Sequence, residues 1–182
     1  PRAAAPHVPR APAMKVSVLC AGHAQPHAGW VAIDELADLL VHYFDAELLS
    51  PRRVPPPWPA RLLRRDTVRY EPVATRGGDV LIVVAHSPAD LALIDAVPDC
   101  RRKFGRIHAW VTDSYFHAGF GRATARYDAI TVTAHEDVAH PRDTFGTTVH
   151  QLYQGADCLT WVPRREVARE IDLMGFGRTP PS

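Results

Sequence analysis

Apolar residues in this chain come in two rhythms, short continuous runs and spacings of three and four, and their alternation predicts the architecture. The stretch Asp79-Val80-Leu81-Ile82-Val83-Val84-Ala85 is apolar throughout after its first residue. A strand covered on one face alternates apolar and polar positions. A continuous run instead suits a central strand of a parallel sheet, buried on both faces. Shorter β-prone runs stand at 15–21, 46–49, 107–111, 129–133 and 147–153, with a minor strand at 67–70. Between the first two runs, Trp30, Ile33, Leu36, Leu40, Val41 and Phe44 recur at helical spacing, with Asp34 and Glu35 near the positive end of the helix dipole.

Other intervals are less regular. Residues 89–97 read as a short helix, with Ser87 available as its N-cap and Pro88 at its first position. Residues 115–126 are weakly helical because Gly119 and Gly121 interrupt them, and 135–145 form a short, poor helix or a loop. The proline-rich interval 51–59 is expected to lack regular structure and to run as a surface loop. Strands thus alternate with helical or loop segments five or six times along the sequence. That order predicts an α/β domain of Rossmann-like type, a mainly parallel sheet with helices on both faces.

The organisation follows from the same pattern. Residues 1–13, rich in Pro, Ala and Arg and without an apolar core, read as a disordered leader rather than a secretory signal. Residues 14–160 form the domain, and 161–170, with three arginines and two acids, form a solvated linker. Residues 171–182 begin with the apolar Ile171-Asp172-Leu173-Met174 and the Gly175-Phe176-Gly177-Arg178 turn, which reads as the opening strand of a second domain.

Composition narrows the function classes. With 21 basic and 20 acidic residues the net charge is +1, which gives no electrostatic case for nucleic acid but does not forbid peripheral contact with a membrane. No apolar run approaches the roughly 20 residues of a membrane span. The 3 cysteines, Cys20, Cys100 and Cys158, are far apart and form no Cys-x-x-Cys pair, so the cytoplasm is the expected compartment.

In an open α/β sheet, ligands bind outside the carboxyl ends of the strands. The loop Gly22-His23-Ala24-Gln25-Pro26-His27-Ala28-Gly29 follows the first strand, His86 follows the central one, and Asp113-Ser114 and His135-Glu136 follow the next two. These residues therefore converge on one rim. The plain alternative is that Ser87 and Asp113 cap helices, that the histidines are exposed turn residues, and that Glu136 answers a helix dipole. The loop is not a Gly-x-Gly-x-x-Gly fingerprint, so no dinucleotide, and no other cofactor, is expected.

Three pieces of the chain, in this order, resemble glycosyltransferases of the GT-B architecture, in which two Rossmann-like domains face each other across a cleft. They are the opening strand, Gly-containing loop and helix of 15–44; the turn Val149-His150-Gln151-Leu152-Tyr153-Gln154-Gly155-Ala156-Asp157; and the run Arg169-Glu170-Ile171-Asp172-Leu173-Met174-Gly175-Phe176-Gly177-Arg178. The second is similar to the family's hand-over from acceptor-side to donor-side domain, and the third to the first strand of the donor-side domain. The family often has Pro where this chain has Tyr153, and its donor-binding Lys and Glu-rich motif would lie beyond Ser182.

The resemblance implies transfer of a sugar from a nucleotide-activated donor to the hydroxyl of a sugar or small-molecule acceptor, with this chain as the acceptor-side half and inactive by itself. It implies catalytic roles for His23, Asp113 and His135, acceptor contacts from Gly22, Gly29, His86, Ser114 and Glu136, and a donor-phosphate contact from Arg178. Two alternatives stand beside it. One is a metal-dependent hydrolase using His23, His86, Asp113 and His135 as strand-end ligands; the other is a non-catalytic Rossmann-like binding module.

Overall fold

The computed structural model describes residues 14–21, 31–55, 69–113 and 119–152. The leader 1–13, Gly22, His23, Gly29, Ser114, the linker 161–170, the apolar run 171–177 and Arg178 lie outside the described residues.

Six strands form one sheet in the order β2-β1-β5-β6-β7-β8, every neighbouring pair parallel. They are β1 (Val16–Cys20), β2 (Glu47–Leu49), β5 (Gly78–Ala85), β6 (Phe104–Val111), β7 (Ala129–Val132) and β8 (Thr148–Gln151). The uninterrupted apolar run is β5, the strand between β1 and β6, as its lack of alternation requires. The fold is therefore α/β with a Rossmann-like parallel sheet.

Cover lies on both faces. Helix α1 (Val31–Phe44) packs Ile33 and Ala37 against Val18, Cys20 and Val84 on one side. The opposite side is built by a 3₁₀ segment (Pro88–Ala96), α2 (Cys100–Lys103) and α3 (Ala139–Phe145). Their apolar residues enclose Leu81, Val83, Ile107, Ala109 and Ile130 in the main core. Each fully buried Leu or Ile there contributes roughly 1.5–3 kcal/mol. The cysteines Cys20 and Cys100 are buried on opposite faces and form no disulfide with each other. Among the described residues no helix is long and apolar enough to cross a membrane.

The division of cover follows from strand order. From β1 the chain steps to β2 through α1; from β5 onward it steps the other way, toward β8. Parallel crossovers share one hand, so connections running in opposite directions fall on opposite faces. The strand order reverses between β1 and β5, and that junction sets the position of the candidate site.

Three expectations need correction. The interval 51–59 is not wholly irregular: β3 (Arg53–Val54) pairs antiparallel with β4 (Arg69–Tyr70) in a separate hairpin. Proline excludes central strands but tolerates a two-residue edge strand, where few amides are needed. The strand expected at 107–111 begins instead at Phe104, because Gly78 pairs with Phe104 and the Phe104 side chain is buried. The helix expected at 89–97 is 3₁₀ over Pro88–Ala96, longer than such segments usually run. Pro88, Leu91, Leu93, Ile94 and Ala96 are buried, so tertiary packing holds it.

Candidate functional site at the carboxyl edge

His86 directly follows β5, and Asp113 stands two residues after the end of β6. Because Ala85 pairs with Val111, the two chain exits are adjacent. The Thr112 amide donates to the Ala85 carbonyl at 3.0 Å, and the Asp113 amide donates to the His86 carbonyl at 2.7 Å. These bonds extend the ladder past the sheet and bring the two side chains together, with His86 Nε2 3.8 Å from Asp113 Oδ2. Both remain open to solvent, at 37% and 31% side-chain exposure. Asp113 Oδ1 is buried and has no hydrogen-bond partner among the described residues. A buried carboxylate oxygen with unused acceptor capacity is costly, and it suits a group that waits for a donor from a ligand.

The rim continues across the sheet. Thr133 Oγ1 donates to the Thr112 carbonyl at 3.1 Å, and the Leu152 amide donates to the Val132 carbonyl at 2.9 Å. His135, after β7, lies with Nδ1 3.3 Å from Gln151 Oε1 at the end of β8. Glu136 instead borders a shallow depression with Ala139, His140, Asp143 and Thr144. Of the described sequence candidates, the structure joins His86 to Asp113, turns His135 toward β8, and places Glu136 on the outer side by α3. Among the described residues, no three His, Cys, Asp or Glu side chains gather as a metal site.

The capping reading of Ser87 also holds in part. Ser87 is the N-cap of the 3₁₀ segment, and its amide and hydroxyl donate to Asp90 Oδ2 at 3.0 and 3.1 Å. Sequence reasoning did not single out Asp90, Thr112, Thr133 or Gln151. A polar residue within two positions of a strand end was the available signal for the two threonines. Nothing in the sequence marked Asp90, whose role depends on which residues the fold places around it.

A large concavity lies elsewhere, on the α1 face of the sheet, as a groove of about 790 Å³ bordered by Leu40, Phe44, Ile82, His108, Trp110 and His150. Two of its polar side chains pair with each other, His108 Nε2 lying 2.8 Å from Thr131 Oγ1, and the His108 and His150 rings stack with centroids 6.4 Å apart. Burial, and after it the neighbouring His150, lower the His108 pKa and hold that ring neutral. The groove is wide because only α1 covers that face among the described elements. Size alone does not make it the site; at the carboxyl edge Asp113 Oδ1 lacks a hydrogen-bond partner among the described residues.

The strand order reverses between β1 and β5, and His86 follows β5, one of the two strands at that junction. Ligands of open α/β sheets bind at such a junction. Comparison with protein-family models, curated proteins and solved structures gives no match to this chain.

Proposed function

We propose that the domain is the acceptor-side lobe of a glycosyltransferase of GT-B type, with the crevice at His86 and Asp113 receiving the hydroxyl to be glycosylated. The observation that carries this reading is the His86–Asp113 pair, 3.8 Å apart at the carboxyl ends of β5 and β6, next to the junction where the strand order reverses. Such a pair is suited to proton abstraction. The imidazole takes the hydroxyl proton as the acceptor oxygen bonds to the anomeric carbon, and the carboxylate stabilises the imidazolium that forms. The bond from the anomeric carbon to the donor phosphate breaks, and a nucleoside diphosphate leaves with the electron pair.

The donor phosphates call for helix N-termini and cationic side chains. Those belong to the partner lobe implied by the resemblance, not to the rim described here. A 3.8 Å separation is ordinary for a base pair awaiting its substrate, since such contacts tighten on binding.

The test is saturation-transfer NMR of the purified 182-residue chain against a panel of methyl glycosides, repeated with His86→Gln and Asp113→Asn. The reading expects weak binding of at least one glycoside, reduced about tenfold or more by either substitution. Binding that survives both substitutions, or no binding across the panel, removes the reading.

A further inference from the structure

The turn that carries His86 is gripped from two sides. On the β6 side, Thr112 and Asp113 hold it through the backbone bonds to Ala85 and His86. On the other side stands Asp90, only 9% exposed. Its Oδ2 accepts the Ser87 amide and hydroxyl at 3.0 and 3.1 Å, and its Oδ1 accepts the Tyr70 hydroxyl at 3.4 Å. Tyr70 belongs to β4 and packs against the main core. The hairpin it carries is anchored further by the Glu71 amide on the Arg52 carbonyl and the Val73 amide on the Ala96 carbonyl, both at 2.8 Å. Ala96 closes the same 3₁₀ segment that Ser87 and Asp90 open.

We propose that Asp90 is a positioning residue whose carboxylate couples the β3–β4 hairpin, through Tyr70, to the turn bearing His86, so that hairpin and carboxyl-edge pair are set together. The proposal rests on the reading of His86 and Asp113 as the site. The residue types suit the role. A carboxylate has two oxygens and four lone-pair positions, so it can hold a serine amide and hydroxyl on one side and a phenol on the other. Burial, and then the charge of Asp90, raise the Tyr70 pKa, so its hydroxyl stays a donor at any physiological pH. The Ser87 bonds are the tight links and the 3.4 Å Tyr70 bond the loose one. The Tyr70 bond is thus the more easily broken of the links between hairpin and turn. Asp90 also completes the cap of the 3₁₀ segment, and a cap alone would need no phenol.

Tyr70→Phe separates these roles, because it removes the phenol and leaves the Ser87–Asp90 bonds in place. The experiment records long-range ¹⁵N–¹H spectra of the His86 imidazole, together with amide hydrogen exchange, in the full 182-residue chain. Coupling predicts altered or doubled His86 ring signals and Ser87 amide exchange faster by about fivefold or more. The Ile107 amide, held by Asp128 at the opposite edge, should change by less than about twofold. Asp90→Asn should reproduce the His86 change and Asp90→Glu should restore part of it. If the Asn variant does not fold, Tyr70→Phe decides alone. His86 signals and Ser87 exchange that are unchanged in Tyr70→Phe overturn the proposal and leave Asp90 as a cap. These readouts need no ligand, so a failure of glycoside binding and a failure of coupling are told apart.

Discussion

The two edges of the sheet use charge in opposite ways. At the amino edge, acids and bases are matched. Arg101 meets both oxygens of Asp128 at 2.7 Å and reaches the Arg126 carbonyl, Arg126 pairs with Asp95, and Arg102 pairs with Asp99 at 2.7 Å. Asp128 further accepts the Ile107 amide at 2.7 Å, tying the start of β7 to β6. At the carboxyl edge, His86 and Asp113 stand 3.8 Å apart with one carboxylate oxygen unused. At the amino edge the ion pairs hold strands and turns together; at the carboxyl edge one buried carboxylate oxygen has no partner among the described residues, an arrangement held at some cost in stability, as binding sites commonly are.

The largest effect expected is at the amino edge. Gly77, just before β5, has φ +78, and a Cβ there would fall on the Lys103 carbonyl oxygen. Gly77→Ala should cost about 2 kcal/mol or more, from the left-handed backbone and the clash together, measured by urea denaturation. Next comes Asp128→Asn, expected to cost about 1 kcal/mol, chiefly by weakening the bond that satisfies the Ile107 amide.

That substitution also has a pH signature. Desolvation raises the Asp128 pKa, but the Arg101 hydrogen bond, the Ile107 amide and the charges of Arg101 and Arg106 together outweigh it and lower the carboxyl below its ordinary range. The stabilisation is therefore present above about pH 3.9, the unfolded value, and is lost as pH falls from there through the lower folded value. Wild-type protein should show this loss on an acid urea series, and Asp128→Asn should flatten it. The smallest effects belong to the carboxyl edge. His86→Gln and Asp113→Asn should change stability by less than about 0.5 kcal/mol, with Asp113→Asn on the stabilising side if its idle oxygen carries a cost. Losses at the carboxyl edge as large as at the amino edge would erase the contrast.

How far the sequence reveals each edge differs for physical reasons. A parallel strand buried on both faces must be continuously apolar, so β5 and the α/β class were readable from 79–85. The helix at Val31–Phe44 was readable from its spacing. Of the β3–β4 hairpin only the second strand was readable, as the minor strand at 67–70; β3 was not, because its two residues lie between prolines and are fixed by pairing with a strand whose Tyr70 packs on the core. Strand-end candidates such as His86 and Asp113 follow from strand limits alone. That they meet, while His135 turns to Gln151, depends on the Ala85–Val111 register and on neighbours remote in sequence. Asp90 was illegible for the same reason: its partner Tyr70 is 20 residues away.

The central claim is that the carboxyl edge is where this domain meets its ligand. Chemical-shift mapping of the ¹⁵N-labelled 182-residue chain, titrated with the methyl glycoside that binds best, tests it most directly. The account predicts that the moving amides cluster at His86, Ser87, Thr112 and Asp113. Shifts confined to the His108–His150 groove, or to Arg101, Arg126 and Asp128 at the amino edge, would contradict it.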